Sequence, residues 1–262
     1  GGFEVEEIID VEINGKKIIT LDISATANRS DSLSIKGISK EIATLLNKPY
    51  KTSKYLTKNW DINNLKHNSI FQSNELNNYS TFLTVTVEHL NNVNSPTWLK
   101  QKLISSGLVP ANNLLDFQNY IVLESGYPFE FYDLDKIRSK VNNSTFKLTL
   151  TKNNKYEQFL ASNNLSYNLD DSILTLKTNN FPLSIAGIIP HKDFCYTDKT
   201  KSLLIESSIF NSTKIRQQSR YLGLRTDRSA RYEKSLKNDF LLEALYRLIS
   251  LLKISNPNII CK

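Results

Sequence analysis

The stretch that most constrains this chain runs from Lys201 to Ser235. It opens with an apolar run, Leu203-Leu204-Ile205, that reads as a buried strand and delivers one carboxylate, Glu206, at its end. A short turn is expected next. Then comes a basic helical segment, with Ile215, Leu222 and Leu224 apolar among Lys214, Arg216, Arg220 and Arg225. That segment closes on residues 223–226, and a second basic piece follows with Arg228, Arg231 and Lys234. An acid at a strand end, facing a loop with a threonine and a cluster of arginines, is the one place where the sequence supports chemistry. Judged on residue types alone, a plainer reading is favoured. A strand-end Glu is usually solvated or salt-bridged, and a Lys/Arg-rich helix usually presents a wet face.

At 262 residues the chain can hold one large domain, or one domain and a smaller piece, and a 40% hydrophobic fraction is enough for a true core. The two cysteines, Cys195 and Cys261, lie far apart in sequence, which gives neither a disulfide framework nor a metal-ligand pattern. A reducing compartment is the default. His67, His89 and His191 are too scattered for a zinc site, so no metal is expected. No run is long and apolar enough to span a membrane. The formal charge of +7 suits a polyanionic partner, because neutralising phosphates releases counterions. The Gly-Gly start and the absence of methionine read as an excised fragment, so a missing targeting segment says nothing about location.

Along the chain, residues 3–23 alternate apolar and polar around Asn14-Gly15, a strong hairpin signal. Residues 28–31 read as a cap for an amphipathic helix through Leu33, Ile38, Ile42 and Leu46, ending near Pro49. Residues 51–78 are polar and Asn-rich and read as a linker. Residues 82–88 alternate as a strand. Pro96 opens a helix that stops at Gly107 and carries Trp98, expected in the core. A further helix runs through Leu115, Asn119-Tyr120 and Leu123 to a stop at Gly126-Tyr127-Pro128. Strands are expected over 146–150, 172–177 and 181–189, with hairpin loops at Asn153-Asn154 and Asn163-Asn164 between the first two. A long amphipathic helix over Phe240 to Leu252 ends before Pro257.

The residues Leu204-Ile205-Glu206, Ile209-Phe210, Ile215-Arg216, Gly223-Leu224, Thr226-Asp227, Ser229 and Arg231-Tyr232-Glu233 stand in one order. That order resembles the editing domain of the β subunit of bacterial-type phenylalanyl-tRNA synthetases. Residues 109–133 and 28–43 carry further matches, so the resemblance covers nearly the whole chain. It implies an α+β fold: a layered β/β/α editing domain over 79–256, preceded by part of a small α+β domain over 1–50 and the linker 51–78. Residues 257–262 would start the link to the next domain.

The resemblance also implies hydrolysis of mischarged tyrosyl-tRNA(Phe). Glu206 would read the tyrosine hydroxyl and Thr226 would shape the site and hold substrate or water. Asn119 would point at the pocket, and Gly187 matches the first glycine of a loop that approaches the ligand. Three departures imply weakened or lost editing. Glu130 stands where the family has a pocket histidine, Pro190-His191 replace a Gly-Gly pair, and Arg228 replaces a small residue. Arg228 could fill the pocket or pair with Glu206 or Glu130, and His191 could stand in for the missing histidine. The alternative is a non-catalytic module that scaffolds the synthetase and positions tRNA. The implied partners are the α subunit, in an α2β2 heterotetramer, and tRNA(Phe). ATP and magnesium belong to the whole synthetase, with no cofactor in this fragment. The heavy use of Asn, Lys and Ile is what an AT-rich genome produces. A plastid is therefore expected, with a bacterial cytoplasm as the alternative.

Overall fold

A computed structural model describes residues 3–25, 29–50, 71–152 and 157–262. In chain order these form β1 (Phe3–Ile13), β2 (Lys16–Ala25), α1 (Ile35–Leu45), β3 (Phe71–Ser73), β4 (Tyr79–Glu88), α2 (Thr97–Ser105) and α3 (Leu114–Ser125). Next come β5 (Glu130–Asp133), α4 (Leu134–Val141), β6 (Leu148–Lys152), β7 (Glu157–Leu160), β8 (Ser166–Leu169), β9 (Leu174–Thr178), β10 (Phe181–Ile185) and β11 (Ile189–Pro190). The chain continues with β12 (Leu203–Phe210), α5 (Ser212–Leu222), α6 (Asp227–Tyr232), α7 (Leu241–Ser255) and β13 (Ile260–Cys261). This is the mixed α+β class expected. Residues 51–70 of the expected linker, Asn28 of the expected cap and the Asn153-Asn154 loop lie outside the described residues.

The chain divides into two compact units, each assembled from separate stretches. The first takes its described residues from 1–56, 91–128 and 239–257. It holds the β1–β2 hairpin with α1, α2, α3 and α7. Asn14 and Gly15 both have positive φ, 52° and 73°, so the hairpin turns where the sequence places it. The Thr20 hydroxyl donates to the Ser105 carbonyl, fixing β2 to the end of α2. The cap of α1 is Ser34, whose Oγ accepts from the Gly37 N–H at 3.0 Å, and not residues 28–31. Ser30–Ser32 form a 3-10 turn ahead of it. Helix α3 packs on α1, α2 and α7. The Glu124 carboxylate takes the Arg247 Nε–H at 2.9 Å. Trp98, expected in the core, is 37% exposed and stands edge-on to Tyr120.

The second unit takes its described residues from 57–90, 129–238 and 258–262. It is built on two larger sheets, beside the two-stranded β7–β8 sheet. One has the order β11-β10-β9-β6-β3, the other β13-β4-β12-β5. Neighbours are antiparallel except for the parallel β3–β6 pair. Their shared core joins Leu148, Leu176 and Leu183 of the first sheet to Tyr132 and Leu204 of the second, with Leu134 and Ile137 of α4. Fully burying a side chain of this size contributes roughly 1.5–3 kcal/mol. Phe71, in the stretch read as linker, stacks on Phe82 at 3.7 Å, and that burial makes a strand of residues 71–73.

Two further corrections bear on the site. Strand β12 does not stop at Glu206; it continues to Phe210, because Ser207, Ser208 and Ile209 keep pairing with β4 and every residue of the strand is buried. Glu206 is therefore mid-strand. The expected strand over 181–189 breaks at Gly187, where φ is +70°. Residues 130–133 form β5, a strand to which the sequence reading assigned no element, and β7 and β8 flank the Asn163-Asn164 turn where a hairpin loop was expected.

Candidate functional site

Strand β12 lies between β4 and β5, with Glu206 directly opposite Thr84 on one side and Glu130 on the other. Opposed residues of an antiparallel pair share a face, with Cβ atoms about 4.5–5.5 Å apart. Side chains alternate along a strand, so Glu206 shares the face of Leu204, and Glu130 the face of Tyr132. Leu204 and Tyr132 are both in the intersheet core. The two acids thus extend the apolar inner face of the sheet. Two carboxylates placed this way repel and lose hydration, so the register needs a cation between them or a proton on one.

The cation is Arg228. Its Nη2–H donates to Glu206 Oε2, and its Nη1 lies 3.3 Å from Glu130 Oε2. Glu206 is 1% exposed and Arg228 8% exposed. The Tyr132 hydroxyl reaches Glu206 Oε2 at 3.5 Å, and the guanidinium carbon lies 5.7 Å from the Tyr232 ring centre. Glu206 Oε1 and Arg228 Nε are buried without a hydrogen-bond partner among the described residues.

The electrostatics follow from burial and this geometry. Burial pushes the Glu130 carboxyl up to about 7, against the pull of Arg228 and helped by the Glu206 charge. Burial opposes the Arg228 charge, yet Glu206, Tyr232 and Glu130 hold the guanidinium well above its ordinary value. It therefore stays charged. Burial also raises the Tyr132 and Tyr232 phenols well above the usual range, so both remain neutral donors.

Arg228 is delivered by the first turn of α6, and Thr226 fixes that turn. Its Oγ1 accepts from the Ser229 N–H at 3.1 Å, and the Ser229 hydroxyl returns to the Thr226 backbone, completing a capping box. Thr226 donates its hydroxyl proton to the Ile188 carbonyl at 2.9 Å. A threonine hydroxyl has one proton to give, and here it is committed. Gly187, one residue earlier, sits in the left-handed region. A Cβ there would stand 2.7 Å from Ile215 Cδ1 and 2.9 Å from Phe210 Cδ2. Thr226 therefore ties the turn between β10 and β11 to α6, and Gly187 seats that turn against Ile215 of α5 and Phe210 of β12.

The other expected site residues stand apart. His191 accepts the Asp193 N–H on Nδ1 at 3.1 Å and meets Phe159 edge-on at 4.9 Å; burial lowers its pKa. No described contact joins it to Glu206 or Arg228. Asn119 lies half-buried on α3 in the first unit. Two residues of the cluster were given no site role from the sequence, Tyr132 and Tyr232. Each has a local signal: Tyr132 is two residues from Glu130 on one strand, and Tyr232 is one helical turn beyond Arg228.

Residues 78–256 match the family model of the B3/4 domain. This chain belongs to the B3/4-domain family. Its B3/4 domain and the residues before it align with the chloroplastic phenylalanine–tRNA ligase beta subunit of Phaeodactylum tricornutum. The identity is 55%, over 100% of this chain and 37% of that protein. The protein of the same name from Pyropia yezoensis is 36% identical over 96% of this chain and 35% of its own length. A phenylalanine–tRNA ligase beta subunit from Prochlorococcus marinus is 34% identical, over 88% of this chain and 28% of that protein. The resemblance read from the sequence therefore holds, and the chain spans about a third of the length of these relatives. A solved N-terminal fragment of the phenylalanyl-tRNA synthetase beta-subunit from Pyrococcus horikoshii shares 19% identity at a TM-score of 0.40. It covers 79% of this chain and 59% of that one, a likeness too slight to carry a conclusion. Among the described residues no helix is long and apolar enough to cross a membrane.

Proposed function

We propose that this chain is part of the β subunit of a plastid phenylalanine–tRNA ligase, and that its B3/4 domain is a silent editing module. Its working role is then to scaffold the α subunit and position tRNA(Phe) in an α2β2 assembly. Aminoacylation, with its ATP and magnesium, is carried by the α subunit. Chloroplastic relatives support the compartment, and the basic surplus suits an RNA partner.

Discriminating tyrosine from phenylalanine means recognising one hydroxyl. A buried group that bonds that hydroxyl rejects the substrate lacking it, by about 1–3 kcal/mol for each group left unpaired. An acid can do this only if the phenol can reach it, with no resident cation already seated on the carboxylate. The ion pair between Arg228 and Glu206 is the single observation that carries the silent reading. Ester hydrolysis further needs an ordered water and a donor for the developing oxyanion. Thr226 has given its proton to Ile188 and is a poor donor for either.

The test is deacylation of tyrosyl-tRNA(Phe) by the full-length subunit assembled with its α partner. The expected rate is the uncatalysed background, unchanged in Glu206→Ala. Hydrolysis well above background that disappears in Glu206→Ala would overturn the silent reading.

A further inference from the structure

We propose that Glu130 and Glu206 together form a guanidinium-binding site, filled in cis by Arg228, in which Glu130 is the positioning residue that makes a planar cation the preferred guest. The silent reading requires only that Glu206 be engaged. This proposal goes further and assigns the chemical class the site takes and the residue that decides it.

The geometry carries it. The two carboxylates face each other across one strand pair, and the guanidinium gives one terminal nitrogen to each. A planar fork can serve two acids at once, whereas a lysine ammonium acts as a point charge. Tyr232 presents its ring to the cation, and an aromatic face attracts a desolvated cation. Tyr132 adds a hydroxyl to the Glu206 oxygen that Arg228 already uses. The assembly is also not a saturated structural ion pair. Glu206 Oε1 is buried without a donor among the described residues. Arg228, tethered to the short helix α6, leaves its own Nε unused. A free guanidinium can turn to present a donor that the tethered one cannot. Such a guest has every reason to bind once the resident side chain is cut back.

The probe is methylguanidinium, titrated calorimetrically into full-length Arg228→Ala, with methylammonium and p-cresol as comparisons. Methylguanidinium should bind Arg228→Ala at least tenfold more tightly than either comparison and should not bind the parent protein. Adding Glu130→Gln to Arg228→Ala should weaken it at least tenfold. p-Cresol binding as tightly as methylguanidinium would overturn the proposal and return the site to hydroxyl recognition. An affinity indifferent to Glu130→Gln would overturn it too, as would the absence of methylguanidinium binding in a cooperatively folded Arg228→Ala. Should Arg228→Ala not fold, Arg228→Lys decides. Its ammonium can serve one acid, so Glu130→Gln should raise the melting temperature of Arg228→Lys by more than it raises the parent's. Equal rises would refute the role of Glu130. None of these readouts uses deacylation, so the proposal and the silent reading can fail separately.

Discussion

Replacing Glu130 with glutamine should remove a pH dependence from the stability of the second unit. Glu130 faces Arg228 from α6 and Glu206 from β12, and the Cys195 thiol and the Tyr132 and Tyr232 phenols also feel its charge. Burial raises its carboxyl from 4.5 to about 7. That rise is a preference for the protonated form of about 3 kcal/mol. Because the folded value lies above the unfolded one, the stabilisation is fully present below about 4.5. It is lost as the pH rises through 7. Glutamine does not titrate. The stability of Glu130→Gln relative to the parent should therefore grow by about 3 kcal/mol between pH 4.5 and pH 8. Hydrogen exchange of the β12 amides in the full-length protein, corrected for the intrinsic pH dependence of exchange, reads this locally. Parallel curves for the two proteins across that range would refute the burial of an ionisable Glu130 beside Glu206.

The remaining predictions concern the turn and helix cap that hold Arg228, and His191. Gly187→Ala should destabilise the protein by about 2–4 kcal/mol, from left-handed strain and from its clash with Ile215 and Phe210; an unchanged melting temperature would contradict the packing. Thr226→Val should cost about 1–2 kcal/mol by removing the cap and the donor to Ile188, while Thr226→Ser should recover most of it; equal losses would show that the hydroxyl does not matter. His191 should titrate below 6.5 by NMR, since burial favours its neutral form. A midpoint above 6.5 would mean that the Asp193 carboxylate, 3.9 Å from Nδ1, outweighs burial.

Much of the fold was legible because its signals are local. Asn14-Gly15 fixes a two-residue turn by backbone preference alone, and the alternation around Val85 and Val87 marks a strand with one buried face. The α7 pattern of Leu241, Ala244, Leu245, Leu248 and Leu252 needs one amphipathic period. What escaped depends on pairing across the chain. β5 is four residues long, and its place beside β12 follows from register and not from its own composition. β3 exists because Phe71 meets Phe82. Glu206 looked like a strand end because Ser207-Ser208 reads as a polar break, yet both serines are buried within the continuing strand. At the site, the sequence allowed that Arg228 pairs with Glu206 or Glu130; it could not show that Arg228 bridges both. That depends on β5 bringing Glu130 opposite Glu206 and on Thr226 aiming the first turn of α6 between them.

The most direct measurement is a crystal structure of the full-length protein soaked with a non-hydrolysable tyrosyl-adenosine. The account predicts Arg228 still seated on Glu206 and Glu130, with no phenol at the carboxylate. A guanidinium swung aside and a tyrosine hydroxyl bonded to Glu206 would contradict it.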